Sequence, residues 1–286
     1  MGGVAEADWD MKVAPPGGGA AKACCDIGPR QLAQAAMPSI IAHPRFLFPL
    51  RAAVRRVVAR LPSDCPLCGG TAAGGLLCHG CAADIVHTMR DGSRRCGRCA
   101  LRLAPRTGAC PDCAPVAPAF ARTIAAFDYE PPFDSLIGRY KGERRHGLST
   151  ALASLLADAV ARAAPLPAGT VLVPIPASRA SLRRRGFNPA AELAASVADR
   201  LGLPVRRGAL RRLREGPRQA AGTRQARRRG AQGLFACAAP LAGLPVGLVD
   251  DVMTTGSTVD AAARALLQGG AVEVTVLVAA RTPLAQ

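Results

Sequence analysis

Between residues 119 and 286, short apolar runs alternate with stretches of helical periodicity. Ile124–Tyr129, Val171–Ile175, Val246–Asp250 and Val272–Ala279 are runs of five to eight mainly apolar residues, the pattern of strands buried on both faces. Phe133–Lys141, Leu148–Ala164, Pro189–Leu201 and Ser257–Leu267 space their apolar residues three and four apart and are predicted to be helices. Strands alternating with helices predict an α/β domain over 119–286, built on a mostly parallel sheet flanked by helices. Ligands of such sheets sit at the carboxyl ends of the strands.

The N-terminal part reads differently. Residues 1–43 are rich in Gly, Ala and Pro without sustained periodicity and are expected to be disordered. Over 44–62, Leu50, Val54, Val57 and Val58 fall on one face and arginines on another, which predicts an amphipathic helix. We expect it to dock on the module that follows; a helix lying on a membrane surface is the alternative. Residues 63–114 hold a cysteine module, and Ala-Pro-Val-Ala-Pro at 114–118 reads as a linker.

Charge narrows the partners. The formal net charge of +17 and pI near 10.6 favour polyanions: phosphates, nucleic acid or anionic lipid. Fifteen arginines fall between Arg179 and Arg229, more than one pyrophosphate can use. A solvated basic surface and a groove for single-stranded nucleic acid are both open. Phe187 and Phe235 are the aromatics nearby, so nucleic-acid binding would rest on backbone charge and weaken steeply with salt. No apolar run reaches the roughly 20 residues of a membrane span, and the first 30 residues lack a signal-peptide pattern. The expectation is a cytoplasmic protein without a transmembrane segment.

Eight of the eleven cysteines form four CxxC pairs: Cys65/Cys68, Cys78/Cys81, Cys96/Cys99 and Cys110/Cys113. Each CxxC turn presents two thiolates to one ion, and two turns complete a tetrahedral shell of four sulfurs. Two structural Zn2+ sites follow, pairing 65/68 with 78/81 and 96/99 with 110/113 because these close the shorter loops. Crossed pairing is the alternative, as is His79 replacing one cysteine. Arg94, Arg95, Arg98, Arg102 and Arg106 make the ribbon basic, and a nucleic-acid or protein grip would be its secondary use.

The stretch Val-Gly-Leu-Val-Asp-Asp-Val-Met-Thr-Thr-Gly-Ser-Thr, 246–258, carries the candidate chemistry. Asp250 and Asp251 end an apolar strand, where two carboxylates can accept hydrogen bonds from the adjacent hydroxyls of a sugar. Thr254, Thr255, Gly256, Ser257 and Thr258 supply hydroxyls and successive N–H groups at a helix start, a phosphate cradle. Either half alone is ordinary, as a solvated strand end or an N-cap. Together they describe a ribose 5-phosphate reader. The patterns GxxxxGK[ST] and GxGxxG are absent.

This stretch resembles the ribose-phosphate loop of the type I phosphoribosyltransferases, and more specifically of their ComF-type, competence-associated members. KGERRH at 141–146, VLVPIPASRASLRRRGFNPAAELA at 171–194, RQAAGTRQARRRGAQGLF at 218–235 and the double zinc ribbon are similar to the blocks of that family. The resemblance runs from Cys65 to the C-terminus. It implies a type I phosphoribosyltransferase-like sheet domain preceded by a small double zinc ribbon. It also implies that Asp250 and Asp251 hold the ribose hydroxyls of phosphoribosyl pyrophosphate (PRPP), and Thr254–Thr258 its 5-phosphate. Pro176, Ala177, Ser178 and Arg179 would form the pyrophosphate loop. Arg183, Arg184, Arg185, Arg224 and Arg228 would lie on or near a mobile basic segment, with Mg2+ accompanying PRPP. Gly230 departs from the family, which carries Asn after the Arg-Arg pair.

Two functions follow from the resemblance. One is transfer of phosphoribosyl to an acceptor the sequence does not identify, by displacement at the anomeric carbon through an oxocarbenium-like transition state. In it the acids orient the ribose rather than act as bases, and no catalytic base stands out. The other is a non-catalytic, PRPP-regulated protein that handles single-stranded DNA beside the competence and DNA-uptake machinery.

Overall fold

The computed structural model describes Val57 and residues 60–142, 147–215 and 233–284. The expected disordered segment, most of the amphipathic helix, and Arg224 and Arg228 lie outside the described residues. A short antiparallel hairpin, β1 (Pro62–Asp64) and β2 (Thr71–Ala73), carries the first cysteine turn, and α1 (His79–His87) follows the second. The sheet domain then runs β3 (Arg122–Asp128), α2 (Asp134–Gly142), α3 (Gly147–Arg162), β4 (Val171–Pro174), α4 (Arg179–Arg185) and α5 (Pro189–Leu201). After β5 (Leu210–Arg212) and β6 (Phe235–Cys237) come β7 (Pro245–Met253), α6 (Ser257–Gln268) and β8 (Glu273–Arg281). The main sheet is parallel in the order β3-β8-β7-β4, and β5 pairs antiparallel with β6.

The helices form where local signals and a buried stripe agree. In α5 the Asn188 side chain accepts the Ala190 N–H at 3.2 Å and Pro189 opens the first turn, while Leu193, Ala194, Val197 and Ala198 face the sheet. In α6, Val259, Ala262, Ala263 and Leu266 are buried at helical spacing. The strands are buried on both faces. Leu172, Val249 and Leu277 point to the side covered by α2, α3 and α5, whereas Val173, Leu248 and Val276 point to the side covered by α6 and the β5–β6 pair. Gly247 makes the central crossing close: a Cβ there would lie 2.5 Å from Leu172 Cδ2.

The cysteine module shares this core. Cys99, Leu101, Leu103 and Cys110 pack in the same apolar cluster as Phe120, Val173, Leu248 and Leu266, and ribbon and sheet belong to one compact unit. At the carboxyl end of β3, Asp128 is fully buried and receives Arg95 through both carboxylate oxygens, at 2.9 and 2.8 Å, and also Arg102. Arg102 reaches Glu130 at 2.9 Å as well. Two of the five arginines that make the ribbon basic are therefore spent on fastening it to the sheet.

The register places the site. On the β4 side, β7 is paired only from Val171↔Val246 to Pro174↔Val249, whereas on the β8 side the ladder continues to Met253↔Arg281. The strand expected to stop at Asp250 thus runs three residues further, because β8 remains alongside to accept its backbone bonds. Beyond Val249 the β4 edge of β7 has no strand partner among the described residues, and there the two acids emerge.

Candidate ligand site at the carboxyl edge of the sheet

Asp250 and Asp251 sit in β7 past the end of β4, with the Asp251 N–H donating to Asp250 Oδ1 at 2.9 Å. Asp251 is 8% exposed, and Lys141 Nζ from the end of α2 lies 3.0 Å from its Oδ1. Burial, reinforced by the neighbouring Asp251 charge, pushes the Asp250 carboxyl up to about 7, with Lys141 and Arg212 pulling the other way. Two adjacent carboxylates are thus held in a partly dry place, one of them paired with Lys141. That arrangement is poised for hydroxyl donors and penalised without them.

Past Met253 the chain turns through Thr254, Thr255 and Gly256 into α6. Gly256 has φ of +78°, a left-handed conformation that favours glycine, and a Cβ there would lie 2.7 Å from Met253 Cε. Thr255 Oγ1 and Ser257 Oγ are 2.7 Å apart, so two hydroxyls converge at the helix start. Thr254 is exposed, and Thr258 is partly exposed in the first turn. The acid pair and the hydroxyl turn that the sequence singled out are therefore contiguous on one edge.

The turn Pro176–Arg179 leaves β4 directly opposite, since the Ile175 N–H still bonds the Val249 carbonyl at 2.9 Å. Ser178 caps α4, accepting from the Ser181 N–H at 3.1 Å, and the Arg179 N–H donates to Glu215 Oε1 at 2.8 Å. Arg212 donates to the Pro176 carbonyl at 3.1 Å and stacks over the Phe235 ring at 4.8 Å. A carboxylate from the β5 side thus rests on the amide of the expected pyrophosphate turn. Arg183, Arg184 and Arg185 form the last turn of α4, with the first two exposed.

Sequence reasoning did not assign roles to Lys141, Arg212 or Arg281. Lys141 carried a signal, since it opens the block KGERRH beside a helix end. Arg212 and Arg281 carried none, because one arginine among many shows no partner until the fold brings it.

The cysteines gather as two groups, Cys65, Cys68, Cys78 and Cys81, and Cys96, Cys99, Cys110 and Cys113, with the sulfurs of each group within 4.8 Å of one another. Neighbouring pairing rather than crossed pairing is what the fold shows, and His79 is exposed at the start of α1, outside both groups. Sulfurs of Cys68 and Cys78, Cys96 and Cys113, and Cys99 and Cys110 are 3.8, 3.8 and 3.6 Å apart. A tetrahedron with metal–sulfur bonds of about 2.3 Å has an edge of about 3.8 Å. The thiols agree. Cys65 is drawn down to about 6, its burial outweighed by the amides of Cys68, Cys78 and Leu67. Cys99 is drawn to about 5, chiefly through Cys113 and helped by Arg281. Burial pushes Cys81 up and hydrogen bonding to Cys99 pushes Cys113 up, so neighbours resist a further negative charge. A cation resolves that conflict, and both groups fit structural Zn2+ in a double zinc ribbon.

Fold and site together define an α/β protein with a parallel sheet flanked by helices, an acid-pair and hydroxyl loop at its carboxyl edge, and a Cys-rich module that fits two zinc ions. The chain belongs to the ComF/YhgH family. It is 33% identical over 211 residues to DNA utilization protein YhgH of Salmonella typhi, covering 72% of this chain and 90% of that protein. Competence protein F of Haemophilus influenzae is 28% identical over 206 residues, covering 70% and 88%. No family model matches the chain. Among solved structures, TT1426 from Thermus thermophilus is similar at 21% identity over 48% of this chain and 82% of its own, with a TM-score of 0.29. Among the described residues, no helix is long and apolar enough to cross a membrane.

Proposed function

We propose that this chain binds PRPP at the carboxyl edge of its sheet and works in DNA utilization of the kind its relatives' names describe. The observation that carries the ligand is the contiguity of two partly buried acids with a hydroxyl-rich turn, past the point where β4 leaves β7. Asp250 and Asp251 take the ribose hydroxyls, displacing Lys141 from its ion pair. Thr254, Thr255, Gly256, Ser257 and Thr258 take the 5-phosphate, a small dianion suited to N–H and hydroxyl donors. Pro176, Ala177, Ser178 and Arg179 take the pyrophosphate once Glu215 leaves the Arg179 amide, with Mg2+ arriving as the pyrophosphate counterion. Arg183, Arg184 and Arg185, with Arg224 and Arg228 of the basic segment, supply further positive charge for the phosphates or for single-stranded DNA.

Support for the DNA role comes from the names of the relatives and from the net charge of +17. A transferase acting on an unidentified acceptor is the second reading. The observation favouring it is the acid pair contiguous with the hydroxyl turn, which would orient a ribose 5-phosphate for displacement at its anomeric carbon. Calorimetric titration with PRPP and Mg2+, with and without a short single-stranded DNA, tests both. PRPP affinity that changes with DNA supports a regulated DNA-handling protein. Unchanged affinity with pyrophosphate release on adding an acceptor supports the transferase, and absence of PRPP binding refutes the ligand.

A further inference from the structure

Arg281, the last residue of β8, is 1% exposed, and the ligand reading gives it no role. Its side chain divides between two parts of the protein. Toward the ribbon, Nε donates to the Cys99 carbonyl at 2.9 Å, and Nη2 donates to Asp112 Oδ2 at 2.7 Å and lies 3.9 Å from Cys99 Sγ. Toward the sheet edge, Nη1 donates to the carbonyls of Met253, at 3.2 Å, and Thr254, and to its neighbour Thr282 at 2.6 Å. Cys99 and Asp112 belong to the second four-cysteine knuckle. Met253 and Thr254 open the hydroxyl turn.

The orientation has a direct effect on that turn. In a trans peptide the N–H points opposite to the C=O. Drawing the Met253 and Thr254 carbonyls toward the guanidinium therefore turns the N–H groups of Thr254 and Thr255 away from it. The far side of the turn is tied to the linker that follows the knuckle and to the residue after it. Asp260, in the first turn of α6, accepts the Ala119 N–H at 2.7 Å, and Arg264 donates to the Ala117 carbonyl at 3.3 Å. A small cleft lined by Cys99, Asp112, Cys113, Met253, Thr255 and Gly256 lies between knuckle and turn. Around that gap, these polar links hold the two together.

We propose that Arg281 is a positioning residue that ties the hydroxyl turn to the second four-cysteine knuckle, so that the turn is held in its ligand-ready form only when that knuckle holds its metal. The first knuckle, Cys65 to Cys81, has no such link to the turn among the described residues. The tie to the turn stands on the contacts alone; that it governs phosphate binding rests on the PRPP reading. Metal in the second knuckle and PRPP then tighten each other by the same factor.

The test uses the full chain loaded with zinc, together with Arg281→Met, Arg281→Lys, Cys110→Ser and, as a control on the first knuckle, Cys65→Ser. Amide hydrogen exchange over residues 250–258 is read first. Arg281→Met and Cys110→Ser should speed it about tenfold or more, the order expected when charge-assisted hydrogen bonds are lost. Arg281→Lys, which keeps one cationic link to Asp112, should fall between, and Cys65→Ser should leave exchange unchanged. Zinc retention is read next by competition with a chromogenic chelator. PRPP should raise it at the second knuckle in the wild type and not in Arg281→Met, a coupling that a purely structural arginine would not lose selectively. Unchanged exchange at 250–258 in Arg281→Met, or equal loss in Cys65→Ser, overturns the proposal. Should Arg281→Met not fold, graded chelation of the wild type decides, and a turn that stays protected with the second knuckle emptied is equally fatal. Failure of the wild type to bind PRPP refutes the ligand and leaves the exchange result to judge the tie.

Discussion

Asp250→Asn should make the protein more stable while weakening its ligand site, and the gain should depend on pH in a defined way. Burial and the Asp251 charge raise the Asp250 carboxyl from its ordinary 3.8 to about 7 in the folded chain. The folded state therefore holds this proton more tightly than the unfolded state. Between those two values folding takes up a proton, so the contribution of Asp250 is fully present below pH 4 and is lost as pH rises through 7. At ~1.36 kcal/mol per pH unit over about three units, the ionised group costs ~4 kcal/mol at most by pH 8. Asparagine keeps an Oδ1 to accept the Asp251 N–H, bonded at 2.9 Å in the parent, and carries no charge. Titrating groups that do not interact with Asp250 are common to both chains and cancel in the difference, and relief of Asp251 from its neighbour's charge adds to the gain in the same direction. Urea denaturation of both proteins from pH 4 to 8.5 should show near-equal stability at pH 4 and a widening advantage for Asp250→Asn above pH 5. The same variant should bind PRPP about 10 to 100 times more weakly, since hydrogen bonds to a charged group are worth about 1.5–3 kcal/mol. A stability difference that is flat across this range, or a less stable variant at pH 8, would refute the account of the acid pair.

Other substitutions separate the parts of the molecule. Asp251→Ala should abolish PRPP binding by calorimetry without unfolding the chain, because it removes one hydroxyl acceptor and the partner of Lys141 at 3.0 Å. Cys65→Ser should lower the zinc content from two ions to one per chain by mass spectrometry and leave the sheet's circular dichroism intact; two ions retained would show that Cys65 is not a ligand. Asp128→Ala should destabilise the protein by about 3–5 kcal/mol in denaturant titrations, because Arg95 and Arg102 would be left without their buried carboxylate. A loss below about 1 kcal/mol would show that apolar packing alone seats the ribbon on the sheet.

Local patterns determined much of this protein. The apolar runs and helical spacings read from the chain correspond to β3, β4, β7 and β8 and to α2, α3, α5 and α6, since each element's period records which faces it buries. The four CxxC pairs specified two groups of four sulfurs, because ligand spacing is itself local, and the pairing that closes the shorter loops is the one formed. The acids and the hydroxyl turn were legible because neighbouring positions, Asp250 to Thr258, carry them. What only the tertiary structure decided depends on contacts between residues far apart in the chain. The point at which β4 leaves β7, which opens the edge beside Asp250, is a matter of strand register. Lys141 meets Asp251 across 110 residues, Arg95 meets Asp128 across 33, and Arg281 meets Asp112 across 169. In so arginine-rich a chain no local signal distinguishes a solvated guanidinium from a buried one. Only the fold, by removing water from Arg281 and Asp128 and supplying their partners, turned three of those charges into the fastenings of ribbon to sheet.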